Sequence, residues 1–167
     1  MESEMKKTCL LPNLILFKDY NGNFILYNDA VYAVFVNDFI KNRPVFKGKR
    51  LGLKKHPIID GKEYTYYHLT HSGNVEAERI PDIRRMERIG FPKPMIDFSD
   101  DPDLKVWRNR RGTNERILIL HEAEKYLVVL DNRKDYILPW TAYLIENNSR
   151  LKRLLAEYRE YKKQEPQ

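Results

Sequence analysis

At 167 residues and 20.1 kDa the chain is one ordinary domain, long enough to bury a core without disulfides. Cys9 is the one cysteine, which excludes an internal disulfide and a cysteine-built metal cluster, and no apolar run approaches the ~20 residues of a membrane-spanning helix. A net charge of +6 and a pI near 9.3 point towards a polyanionic partner such as RNA or DNA, and the 11 Tyr can serve as half-buried core or as stacking surface for bases.

Met1–Thr8 is polar and reads as a frayed end. Lys6-Lys7 ahead of Cys9–Phe17 mimics a signal peptide, but Pro12 and Asn13 interrupt the run and no small-residue cleavage site follows, so a cytosolic chain is expected. Asn21-Gly22-Asn23 is a turn. Asn28 suits the N-cap of a helix over Asp29–Lys41, in which Ala30, Val31, Val34, Phe35 and Ile40 form a buried stripe until Arg43-Pro44 ends it. Val45–Lys55 is a basic loop without the spacing of a nucleotide-binding loop; it is either a solvated connection or, through Lys54 and Lys55, a landing strip for phosphates. Glu63–Thr70 alternates weakly and reads as strand-like or irregular, and His71–Asn74 as a turn. Pro81 suits the first position of a helix over Pro81–Ile89, which Gly90–Pro94 stops.

Four strands follow: Leu104–Arg108 anchored by Trp107, Arg116–Leu120, Tyr126–Leu130 and Tyr136–Ile145. Their short polar connections predict a sequential antiparallel meander, and Pro139, lacking an N–H, belongs on an edge, at a bulge or at a bend. If Leu138, Trp140, Ala142 and Leu144 face the core, Thr141 and Tyr143 point to the opposite, wetter face. Asn147–Ser149 cap a last helix over Arg150–Lys163, with Leu151, Leu154, Leu155 and Tyr158 on one side. The expected fold is α+β: N-terminal helices packed on a four-stranded antiparallel β-meander, with a C-terminal helix at an edge. Residues 1–44 form a helical segment on the core, 45–146 the core itself, and 147–167 the last helix and tail.

Of the four histidines, His56, His68, His71 and His121, His68 and His71 are three apart and could share a metal on a helix, but the run around them does not read as helical and no Glu-x-x-His or Cys partner stands nearby, so no metal and no cofactor are expected. A metal-free set remains: His68 beside Tyr66 and Tyr67; Arg84, Arg85, Glu87 and Arg88; Arg110, Arg111 and Arg116; Thr141 and Tyr143. Cleaving RNA through its own 2′-hydroxyl needs a base, an acid for the leaving oxygen and a cation for the phosphorane, and these residue types supply all three. The same residues also suit a solvated helix face, a structural histidine and ordinary strand positions.

Five segments in order carry a resemblance: Tyr-Tyr-His-Leu at 66–69, Arg-Ile-Pro-Asp-Ile-Arg-Arg-Met-Glu-Arg-Ile at 79–89, Arg-Ile-Leu-Ile at 116–119, Tyr-Leu-Val-Val-Leu at 126–130 and Trp-Thr-Ala-Tyr at 140–143. Together, over about 45–145, they resemble the phage-associated branch of the barnase/EndoU/colicin/RelE-like (BECR) nuclease superfamily. Relatives often carry Trp after the Arg-Ile pair, where this chain has Gly90-Phe91-Pro92. The resemblance implies N-terminal helices on a four-stranded meander and a metal-independent endoribonuclease, a toxin or phage-borne effector. It implies RNA (tRNA or mRNA) as substrate and an antitoxin or immunity protein as partner. It places His68, Glu87, Arg88, Arg116, Thr141 and Tyr143 in catalysis, with Arg85 beside them; Arg84, Arg85, Arg110, Arg111, Lys54 and Lys55 are the expected RNA contacts. The alternative is a non-catalytic nucleic-acid-binding or phage accessory protein.

Overall fold

A computed structural model describes residues 8–165. The end read as frayed lies outside the described residues except for Thr8, as do the last two residues of the tail. The helices are α1 (Phe24–Phe35, running on as a π-helical turn over Val36–Lys41), α2 (Tyr64–Thr70), α3 (Ile83–Glu87), α4 (Pro92–Asp97) and α5 (Asn148–Gln164). Two small hairpins are formed by β1 (Val45–Phe46) with β2 (Lys49–Arg50), and by β3 (His71–Ser72) with β4 (Ile80–Pro81). The main sheet is antiparallel, in the order β5 (Leu104–Arg111), β6 (Asn114–His121), β7 (Tyr126–Asn132), β8 (Ile137–Leu144). This is the expected α+β architecture.

Period-two alternation makes both faces of that sheet apolar. Leu104, Ile117, Ile119, Tyr126, Val128, Leu130, Ile137 and Ala142 pack with Tyr27, Val31, Phe35, Tyr66 and Met86 from the helices. Trp107, Leu118, Leu120, Leu127 and Ile145 pack with Leu151, Leu154, Leu155 and Tyr158 of α5. The last helix therefore lies on the second face, not at an edge. Its Asn147 side chain accepts from the Ser149 N–H at 2.8 Å, satisfying a first-turn donor.

Several expectations change. Helix α1 starts a turn earlier than Asn28, because Asn23, next after the Gly22 turn (φ +74°), caps it by accepting from the Leu26 N–H at 3.1 Å. Asn28 sits within the helix and takes the Tyr66 hydroxyl instead. The basic loop contains the β1–β2 hairpin, turned at Lys47 and Gly48, both with positive φ (46° and 83°). The run read as strand-like is helix α2. All seven of its residues are buried, so no apolar face shows as a period; Thr65, Tyr66, Tyr67 and Thr70 each donate a hydroxyl to a protein acceptor. Pro81 belongs to β4 rather than to a helix, because Asp82 caps α3 by accepting from the Arg85 N–H at 3.3 Å. Pro92, read as a stop, opens α4.

Pro139 lies on the edge strand beside a bulge. Val129 pairs with Thr141 but Leu130 pairs with Pro139, leaving Trp140 as the extra residue. The bulge shifts the alternation, so Ile137 rather than Leu138 joins Ala142 in the main core.

Candidate active site

Three elements meet the bulged edge. Helix α2 brings His68, whose Nδ1 lies 2.7 Å from the Trp140 carbonyl and whose ring is 4.8 Å from the Trp140 ring. Helix α3 brings Arg85, which donates to the Thr141 hydroxyl at 3.0 Å and to the His68 carbonyl at 3.4 Å, with its guanidinium 5.5 Å from the Tyr143 ring centre. Strand β6 brings Arg116, whose guanidinium stands 4.5 Å from the Trp140 ring centre. From the start of α5, Arg150 donates to the Tyr143 hydroxyl at 3.1 Å.

The tautomer of His68 follows from its partner. A carbonyl only accepts, so Nδ1 carries the proton, and the neutral ring presents Nε2 as a lone pair. No described residue hydrogen-bonds Nε2. Burial, then the charge of Arg79, with lesser contributions from Arg85 and Arg116, push the imidazole pKa down to about 4, partly offset by the Trp140 bond. At neutral pH this is an uncharged base beside fixed cations.

That depression has a sign for folding. Above the ordinary value of 6.5 the ring is neutral in both states and stability is complete. As pH falls towards about 4 the unfolded chain binds a proton that the folded chain refuses, so stability is lost with falling pH. The expected loss is about 3 kcal/mol. Urea denaturation across this range, with His68→Gln alongside, measures it; parallel wild-type and variant curves would show that His68 does not titrate this way.

Arg116 is held from below by Asp131, its cross-strand partner. The Asp131 carboxylate is wholly buried, accepts from Arg133 Nε at 2.7 Å, and places Oδ1 4.0 Å from Arg116 Nε. At that distance the pair is ionic without a hydrogen bond. Arg116 Nη1 and Asp131 Oδ1 are both buried without a partner among the described residues.

The expected site residues divide. His68, Arg85, Arg116, Thr141 and Tyr143 come together. Glu87 does not join them: its carbonyl accepts from the Ile15 N–H at 3.0 Å, and its charge helps to raise the pKa of Tyr27. Arg88 turns back to donate to the Arg84 carbonyl at 3.1 Å. Arg84 pairs with Glu146 at 2.8 Å on the surface. Arg110 and Arg111 flank the tip of the β5–β6 hairpin, and Arg111 acts electrostatically on Arg116. Lys54 stands 4.3 Å over the Tyr64 ring, itself 5.7 Å from the His68 ring, while the Lys55 carbonyl accepts from the Tyr64 N–H. Cys9 is half-buried with its thiol pushed up to about 11 by burial, an inert group.

Asp131, Arg150 and Arg79 have no site role in the sequence reading, and Trp140 is expected there only as a core-facing residue. Asp131 was within reach: a hairpin folded about Glu122–Lys125 sets Arg116 opposite it. The stacking role of Trp140 depends on the bulge and leaves no periodic trace.

Among the described residues, no group of three or more His, Cys, Asp or Glu is placed to hold a metal ion, and no helix is long and apolar enough to cross a membrane. No protein-family model matches the chain, and no curated protein or solved structure matches it.

Proposed function

We propose that this chain is a metal-independent endoribonuclease of the kind that the BECR resemblance implies, acting in the cytoplasm on RNA. The observation that supports it most is His68: a buried, neutral imidazole with Nδ1–H committed to a backbone carbonyl, Nε2 unbonded, and Arg85 and Arg116 close by. Nε2 takes the 2′-hydroxyl proton, the 2′-oxygen bonds to phosphorus, and the bond to the 5′-oxygen breaks. Arg116, steadied by Trp140 and Asp131, and Arg85, steadied by Thr141, hold the phosphorane charge. The Tyr143 hydroxyl accepts from Arg150 and keeps its own proton for the leaving oxygen. The products are a 2′,3′-cyclic phosphate and a 5′-hydroxyl. An antitoxin or immunity protein would need to cover this face to neutralise it.

RNA cleavage by purified protein in EDTA, wild type beside His68→Ala, tests the reading. Cleavage that persists in EDTA, leaves cyclic-phosphate ends and is lost in the variant is the expected result. A second reading, nucleic-acid binding without cleavage, is favoured by one observation: Glu87, the carboxylate meant as second acid or base, lies with Tyr27 instead. Salt-sensitive RNA binding with no cleavage by the wild type would establish that reading in place of the first.

A further inference from the structure

The main sheet has one edge at the candidate site, β8, and the other, β5, on its far side, about 14 Å away at the usual strand spacing. The Leu104 N–H donates to the Asp101 carbonyl at 2.9 Å, away from β6, while Trp107 is wholly buried. Residues two apart on an antiparallel strand turn their backbone groups the same way, so Val106, Arg108 and Arg110 present N–H and C=O groups outward. Among the described residues no backbone group meets these three from outside the sheet. We propose that β5 receives, as a fifth strand, an extended acidic segment of a partner protein. The proposal goes beyond the nuclease reading and does not depend on it, and a partner docked here leaves His68 open.

The charge of the edge selects the occupant. β5 carries four cations, Lys105, Arg108, Arg110 and Arg111, and no acid. Cations on an edge are a common guard against self-pairing, and a second copy of β5 would set like charges against each other. Because all four have one sign, the same guard attracts a strand of the opposite sign. Lys105 and Arg108 already pair with Glu122 and Glu115, at 2.7 and 2.9 Å. Arg110 and Arg111 are exposed and form no ion pair among the described residues. Consecutive residues project to opposite faces, so two adjacent carboxylates on an added strand meet both guanidinium groups. At the other end of the edge a recess of about 370 Å³ opens between Phe46 and Lys47 on one side and Tyr158 and Tyr161 of α5 on the other, with Leu104 and Val106 in its wall. It has room for a large side chain of the entering segment. Main-chain bonds to β5 would supply affinity, and the recess and the arginine pair would fix the register.

The test uses the full chain and a fluorescent peptide of the same eight-residue length as β5, alternating valine and threonine between paired glutamates at each end. The wild type is expected to bind it, and to bind the version with lysine for glutamate at least about tenfold more weakly. Two further peptides carry N-methyl groups on one or the other alternate set of backbone amides. An added strand turns only one set towards β5, so one peptide should lose binding and the other keep it. Among variants, Arg108→Gln removes a charge, whereas Arg108→Pro also removes an outward N–H, a change that an edge strand tolerates. Arg108→Pro should weaken binding about tenfold more than Arg108→Gln. Failure of the glutamate peptide to bind overturns the proposal. Equal binding by the two methylated peptides also overturns it, leaving charge attraction without strand pairing. Binding of a duplex oligonucleotide but of no peptide, lost in Arg110→Gln with Arg111→Gln, would make this edge a nucleic-acid contact instead. A dimer in sedimentation that Arg108→Pro dissociates would make the occupant a second copy.

Discussion

Trp107→Ala is expected to cost about 3–5 kcal/mol of stability, the largest loss from a single core truncation. Trp107 is completely buried between the sheet and α5, with Leu118, Leu120, Leu127 and Leu154 around it and Tyr158 edge-on at 5.7 Å. Its indole N–H donates to the Glu157 carboxylate at 3.0 Å, and Asn109 bonds the same oxygen. Truncation therefore removes the anchor of α5 and leaves a cavity in a small second core that has few other large side chains. Chemical denaturation measures the loss, and Trp107→Phe should recover most of the packing but not the bond to Glu157. A loss below about 1 kcal/mol would mean that the second face collapses freely around the gap.

The other large effect is expected on activity. Arg116→Ala should lower cleavage by about 10²–10³-fold, the scale of losing one preorganised donor to a developing charge. Arg116→Lys should recover little of it, because a single ammonium cannot stand over the Trp140 ring while meeting Asp131 and a phosphate together. The readout is single-turnover cleavage with saturating RNA, so that weakened binding is not mistaken for slowed chemistry. Cleavage by Arg116→Ala within about threefold of wild type would take the guanidinium out of the reaction.

The meander was legible because β-branched runs, short polar connections and Pro139 all point to the same arrangement. Helix α2 was not, because burial on every side removes the period by which a helix announces itself, and its many tyrosines carry strand propensity. The stripe of α5 was readable, but a stripe does not say which surface it meets; only the second apolar face of the sheet, hidden in the alternation of β6 and β7, decides that. The site divides along similar lines. His68, Arg85, Arg116, Thr141 and Tyr143 could be chosen by chemical type, yet the bond from Arg85 to Thr141 spans 56 positions of sequence and follows from packing alone. Glu87 and Arg88 were chosen by the same logic, but Glu87, two residues after Arg85, is about 200° round the helix, and Arg88 lies past its last turn and folds back onto the Arg84 carbonyl.

The outer edge of β8 is closed by the protein itself. Gly52 N–H meets the Ile137 carbonyl at 2.8 Å, and the His68 ring meets the Trp140 carbonyl where a fifth strand would otherwise donate. An unpaired strand edge invites pairing with another molecule. The imidazole thus stands as a plug in the sheet as well as a base in the proposed reaction. A residue at 68 that cannot donate would leave the Trp140 carbonyl open on this edge, a cost separate from any loss of the proposed reaction.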